Sequence, residues 1–574
     1  MAEPVDARFA DEVAAALAAE VATIVEAAVE ASDDHRTLAH QVKALVAADR
    51  LDVLDHATRL ATRLRGLLGP SGLFLGGDNV DSPPDSAFSI NDVADTVAVL
   101  RDASADPARP ELTAELTAEL TAVLEEILAT ATPALLRGGV HTPNHRWELS
   151  AALARLHRLS PSQALVDRIE EWLAEGVDID PDGLYSERSA IYAAAVSNPS
   201  LIAIADVLGR PDLLDAVERN LEATLDLLLP DGTVETVLSR RQDQRSTFPL
   251  APHLLPLRQL AVRRARGDLA WAADLALGQG VGDPASAATL MALDPSVAAL
   301  LPPATPPPPR RQRHFRDAGL LVDHREGWSA VVFGGSDYAR HGRIRSGLAN
   351  SPTLLRHLSG SVVLDSVRLS RTFFGVGPFR SDGMRVSSDG SQTQVGLQES
   401  VTTGYYQPLP AEERDPDGVY ALADDGRFSA AMAFASRDLD PVSLSSTVDV
   451  RLDDTGVDLL IAMDGPVVDW ALELAFRPGG ELTGARALSP DRWVLDVAPG
   501  AVASYRSESG ELTVEVVSAA GADDAPVAPP ALPPAYEPGE DYGYLGGTDA
   551  ATGDRLYLAG RVPARLHLRL SITL

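Results

Sequence analysis

Four consecutive residues, Asn144, His145, Arg146 and Trp147, are followed downstream by a D-G-x-x-x-E-x-S-x-x-Y run. That run extends from Asp182 and Gly183 through Glu187 and Ser189 to Tyr192. An amide, an imidazole and a phenol are the groups that can hold a carboxylate and move a proton beside it. Carbon next to a carboxylate is a weak acid, so charge building on that carboxylate must be stabilised. Preorganised donors do this best, and losing one typically lowers the rate by on the order of 10²–10³. Asn144 and a hydrogen-bonding or protonated His145 are suitable donors. An arginine, Arg188 or Arg241, would complete the clamp bidentately. Tyr192 would carry the proton, but a free phenol titrates near ~10, so neighbouring positive charge would have to lower it. Each residue alone also has a plain structural reading. Asn caps helices, a Tyr beside alanines packs in a core, and Asp-Gly marks a turn. Their order and spacing join them into one candidate site.

The elements that must position these groups change character along the chain. Residues from about 8 to 280 read as helix after helix. Phe9, Val13, Leu17, Val21 and Ile24 recur at the helical period, as do Leu149, Ala152, Leu153, Leu156 and Leu159. The ELTAELTAEL repeat, residues 111–120, is a run of strong helix formers and reads as one long helix. Residues 72–92 are rich in Gly, Asp, Asn and Pro, and are expected to form a long loop lining a cleft. A proline tract at 302–309 ends the helical half and should be extended and stiff. After it the period becomes two. Leu566, Leu568, Leu570 and Ile572 alternate with polar residues, and Val448, Val450, Leu452 and Leu512, Val514, Val516 repeat the pattern. Helices followed by strands imply an all-α domain and a separate antiparallel all-β domain. A second proline-rich stretch, 526–538, is expected to wrap the surface of the latter.

Composition narrows the classes of partner. At 574 residues and 45% hydrophobic, the chain can build large cores and is not disordered. A net charge of −33 argues against nucleic acid or an anionic membrane as a partner. No uninterrupted apolar window is long enough to span a bilayer. The first residues lack a signal peptide's basic and apolar regions, so a cytoplasmic setting is expected. Without cysteine there is neither a disulfide nor a thiolate nucleophile. Lys43 is the one lysine, so positive charge is almost all arginine. Two clusters, Arg240, Arg241 and Arg245 and then Arg340, Arg343 and Arg345, could concentrate it locally.

The motif and the two-part organisation together resemble the heparinase II/III-like polysaccharide lyases, which include oligoalginate lyases. The resemblance implies an N-terminal (α/α) toroid followed by a C-terminal antiparallel β-sandwich. The expected boundaries are a toroid at 1–300, a linker at 301–314 and a sandwich at 315–574. Phe315-Arg316-Asp317-Ala318-Gly319-Leu320 with Trp328 looks like the family's entry into its β domain. In that family an Asn-His pair faces a long cleft, and Asn144 and His145 match it. The tyrosine ending the second motif, here Tyr192, is the family's acid/base. For the family's further catalytic histidine, either His341 fills the role or a nearby arginine, Arg343 or Arg345, substitutes for it. The resemblance implies cleavage of uronate-containing glycans by β-elimination, with no metal or cofactor. Substrate contacts would come from Arg146, Trp147, Tyr185, Glu187, Arg188, Arg241, Arg245, Arg343 and Arg345. The partner implied is an acidic oligosaccharide or polysaccharide, with homo-oligomerisation left open. Where the family usually has a histidine after its tyrosine, this chain has Ala193. Two other readings stay open. One is a glycoside hydrolase on the same toroid using two carboxylates drawn from Glu148, Asp182, Glu187 and Glu235. The other is a non-catalytic carbohydrate-binding protein.

Overall fold

The first helix, Ala7–Glu26, shows why the helical half folds as it does. Asp6 caps it by accepting from the Phe9 amide at 3.2 Å, and the stripe Phe9, Val13, Leu17, Val21 and Ile24 is buried. The computed structural model describes residues 4–76, 79–105, 114–341, 347–531 and 553–573. These fall into two units. The first holds 1–228, 232–234 and 248–307, and the second holds 229–231, 235–247 and 308–574. The main division falls at 307/308. Sequence periodicity gave no sign that 235–247, which lies between helices, groups with the β unit.

In the helical unit two layers alternate along the chain. His35–Ala47, Pro83–Ala105, Pro143–Leu159, Asn198–Leu208, Leu254–Arg264 and Pro284–Leu293 line a common interior. The helices between them, such as Leu54–Gly66, Ala114–Arg137 and Pro211–Asp226, pack outside. This is an (α/α) toroid. The inner helices run the same way. Arg36 pairs with Asp85 at two helix starts, while Arg101 donates to the Leu159 carbonyl at two helix ends at 2.9 Å. Arg263 likewise joins Asp206 and Asp294 at three helix ends. The helix Pro143–Leu159 is buried on nearly every face, as an inner helix must be. The helical stretch Ala190–Leu208 is long and apolar enough to cross a membrane, but 56% of it is buried within the protein.

The expected loop at 72–92 is only partly a loop. Its second half is the start of the helix Pro83–Ala105. Ser82 accepts from the Asp85 amide at 3.2 Å, and Pro83 and Pro84 suit a helix's first turn, which needs no N–H donors. The first half is held by a bridge between Leu68 and Phe74, and the Phe74 ring stacks on His35 at 4.9 Å. Of the ELTAELTAEL repeat, residues 114–120 open the helix Ala114–Arg137, and 111–113 lie outside the described residues.

The second unit contains, among the described residues, an eight-stranded and a nine-stranded sheet. Val448, Val450 and Leu452 on Leu439–Asp453 face Ile461, Leu459 and Val457 on Gly456–Asp464, and Leu459 in turn faces Leu568 on Ala564–Thr573. The other sheet sets Leu472 between Leu369 and Leu558. Residues of both sheets share one apolar core, so the unit is a β-sandwich. Pairing is antiparallel except where Arg492–Val494 runs parallel to Asp554–Arg561. Residues 526–531 follow the edge of the latter strand. The Ala531 amide donates to both Asp469 oxygens at 3.0 Å, and the Arg561 amide to the Ala528 carbonyl at 3.0 Å. The rest of the second proline-rich stretch, 532–538, lies outside the described residues.

Candidate functional site

Asn144 and His145 lie in the first turn of the inner helix Pro143–Leu159, which begins with proline after Thr142. A helix start carries partial positive charge from its unpaired amides, so both residues sit where an anion is favoured. Both are buried. The Asn144 amide group donates to the Glu187 carboxylate. An amide nitrogen has two N–H bonds, so a second donor remains for another acceptor. Among the described residues the Asn144 carbonyl oxygen has no partner, although it is buried. A buried acceptor of this kind fits a ligand hydroxyl. His145 meets His141 edge to face at 4.6 Å.

The segment leading to Tyr192 is built from its sequence in a clear order. Asp180 opens a turn, accepting from the Gly183 amide at 3.1 Å through its carbonyl and from the Leu184 amide at 2.9 Å through its side chain. Gly183 has φ of 90°, and a Cβ there would sit 2.5 Å from the Arg219 carbonyl, so glycine is required. Arg188, not a glycine, also has positive φ, 51°. Strain of this kind, roughly 1–3 kcal/mol, tends to be stored at functional sites. Ser189 then caps the turn of helix that ends in Tyr192, accepting from its amide at 3.2 Å. Tyr192 is half-buried. Directly after it, Ala193–Ser197 form a π-helical turn before the helix Asn198–Leu208. Pro199 has no N–H to donate back, which loosens the α-helical ladder at that point. Single π turns interrupt helices mostly at functional sites and re-aim the residues beside them. The Asn144–Glu187 bond fastens this segment to the start of the inner helix.

Other expected contacts have structural places instead. Arg146 donates to Glu175 at 3.0 Å and to Asp178 at 3.2 Å, and the Trp147 indole donates to Asp178 at 2.9 Å. Both thus brace the 175–178 loop. Tyr185 is likewise held within the protein. Its hydroxyl donates to Asn198 at 2.8 Å, and burial raises its pKa far above the ordinary value. Asn198 in turn donates to Asn220 at 2.9 Å, and Asn220 to the Gly183 carbonyl at 3.0 Å. This chain of amides fixes the turn from below.

Arg241, Arg245 and His341 belong to the second unit. Arg241 is buried there. Arg245 ends a short turn, Gln242–Arg245. Its neighbour Arg240 is committed to Asp337, to which it donates twice at 2.9 Å. His341 is exposed at the end of the short helix Tyr338–His341. Arg343 and Arg345 lie outside the described residues.

The four carboxylates considered for hydrolysis each have a local setting of their own. Asp182 is in the turn, and Glu187 holds Asn144. Glu235 is buried in the second unit, accepting from Arg356 at 2.5 Å and from the Thr236 and Val237 amides. Glu148 alone faces the interior of the toroid. It accepts from Asn91 at 2.6 Å, and burial raises its pKa to about 7.

The periodicity did not single out Asp85. Burial works to raise its pKa, but Ser82, Asn79, Arg36 and His145 outweigh that and hold it below the ordinary value. The His145 ring is thus one of the groups that hold Asp85 in its charged form. The Ser82-x-x-Asp85 spacing, a helix-start signature, was the available signal.

No protein-family model matches the chain, and no curated protein is similar to it in sequence. Solved structures are similar in fold. One is the chondroitin AC lyase of Streptomyces coelicolor A3 in complex with chondroitin sulphate. It has a TM-score of 0.53 and 14% identity, covering 93% of this chain and 74% of that one. Another is a Paenibacillus xanthan lyase, with a TM-score of 0.54 and 9% identity, covering 99% of this chain. This chain spans 56% of the xanthan lyase's length. The helical toroid followed by an antiparallel β domain is thus a fold found in polysaccharide lyases.

Proposed function

We propose that the protein is a polysaccharide or oligosaccharide lyase that cleaves uronate-containing glycans by β-elimination, with a heparinase II/III-like arrangement of its groups. The observation that carries this reading is the link between Asn144, at the start of an inner toroid helix beside His145, and Glu187, in the segment that ends at Tyr192. Asn144 and His145 bind the uronate carboxylate and stabilise the charge that builds on it when the neighbouring proton leaves. Tyr192 removes that proton and returns one to the departing glycosidic oxygen. The C–H electron pair becomes a carbon–carbon double bond, and the C–O bond to the leaving sugar breaks. The helix start and His145 supply local positive charge, and Arg36 balances Asp85. An acidic protein can in this way accept an acidic sugar.

Purified protein should be incubated with a panel of glucuronate, alginate and glycosaminoglycan oligosaccharides. The reading predicts a product that absorbs in the ultraviolet through its conjugated double bond. New reducing ends without that absorbance would show hydrolysis instead.

A further inference from the structure

The inner helices of the toroid enclose a well of about 1220 Å³, at or above the size of typical small-molecule sites. Asn144, His145, Glu187 and Tyr192 are not among the residues that line it. It reaches solvent. Arg36 at one rim has a side chain 43% exposed, and Asp206, at the far end of another helix, 46%.

The chemistry of the wall limits what it can hold. Each lysine and arginine that lines it is paired with a carboxylate. Lys43 donates to Asp92 at 2.6 Å, and Arg155 and Arg158 both donate to Asp95, at 2.8 and 2.7 Å. Arg36 pairs with Asp85, and Arg263 with Asp206. Taking a sulfated or multiply carboxylated chain into such a wall would need cations that are already committed. What remains is apolar surface, including Phe88, Leu254 and Leu255, and the hydroxyl of Thr289 and amide of Gln259, while Asn91 and Ser200 are engaged by Glu148. The Phe88 ring offers a flat face backed by the Arg36 guanidinium at 4.1 Å. Glu148 sits deep in the wall between Asn91 and Ser200. Near neutrality its carboxyl can donate as well as accept.

Apolar patches interleaved with uncharged donors and acceptors, and charges already balanced, match a molecule with C–H faces and many hydroxyls. We infer that the well is a second binding site, for a neutral saccharide of one to a few units, distinct from the acidic chain proposed for the Tyr192 site.

The test is titration calorimetry of the full-length protein with glucose, cellobiose and cellotriose, and with a sulfated disaccharide as control. The inference expects saturable binding of at least one neutral sugar and none of the sulfated one. Ala203 lines the well, and Ala203→Trp would fill it. That variant should lower the affinity at least tenfold while leaving any elimination activity unchanged. Ser200→Val, a gentler change, should weaken binding several-fold, so the test survives if the tryptophan variant fails to fold. Absence of binding by all three neutral sugars, stronger binding of the sulfated one, or affinity unchanged in both variants would overturn it. Because the readout is binding, its failure is distinguishable from failure of the lyase reading.

Discussion

Replacing Asn144 by alanine separates its two roles. Its amide donates to Glu187, and both residues are almost fully buried, at 3% and 8% exposed. Truncation leaves the Glu187 carboxylate buried with that donor gone, which should destabilise the protein by about 1–3 kcal/mol. The catalytic loss is a different quantity. If Asn144 also donates to the substrate carboxylate, kcat should fall on the order of 10²–10³, equivalent to about 2.7–4 kcal/mol. Adding Glu187→Gln tells the two apart. The neutral amide tolerates burial better than a carboxylate that has lost a donor, so the double variant should recover part of the lost stability, with a coupling of about 0.5–3 kcal/mol. Its rate should not recover, because the donor to substrate is still missing. The measurements are denaturant unfolding and the initial rise in ultraviolet absorbance per folded molecule. A rate within threefold of wild type for Asn144→Ala would refute the catalytic half of the reasoning, even if the stability half held.

Three further outcomes follow from buried charge and from lone imidazoles. The Glu148 pKa is raised from 4.5 to about 7 by burial, so its folded form holds a proton that the unfolded form has lost. Stability should fall as pH rises between those values, by on the order of 3 kcal/mol, and Glu148→Gln should flatten that slope in unfolding titrations at pH 5 and 8. Among the described residues His253 has both ring nitrogens buried without partners, and burial lowers its pKa to about 4. Its contribution is present above the ordinary histidine pKa of 6.5 and lost as pH falls toward 4, so His253→Leu should shift the acid-unfolding midpoint downward. In the sandwich, Arg368 and Tyr557 both donate to Glu473, and Arg368 and Glu473 are 2% exposed. Arg368→Met should therefore destabilise by about 3–5 kcal/mol, and adding Glu473→Leu should restore much of it.

Much of the fold was legible because period reports burial. The stripe from Phe9 to Ile24 and the alternation of Leu566, Leu568 and Leu570 each lie on the element expected of them. Signals that depend on single residues were harder to weigh. Ser82-Pro83-Pro84-Asp85 reads as loop by composition, yet its serine caps a helix. Within the site, the sequence offered Asn144 as a helix cap, whereas the cap position is Thr142 and Asn144 lies inside the first turn. It could not say that Glu187 would be the partner of Asn144, since 43 residues separate them. Nor could it separate Arg146 and Trp147 from their neighbours. Which way a helical side chain turns depends on the loop at 175–178, and Asp178 takes both. The π turn after Tyr192 left only Pro199 as a hint.

The proton carrier gives the sharpest test. Wild type and Tyr192→Phe should be compared on one acidic oligosaccharide that the wild type cleaves, following the double-bond absorbance and the substrate affinity together. Loss of the phenolic oxygen should slow elimination by at least about 10² with affinity little changed, since acid–base groups contribute roughly 10²–10⁴. A phenylalanine variant that still eliminates at the wild-type rate would contradict the assignment of Tyr192.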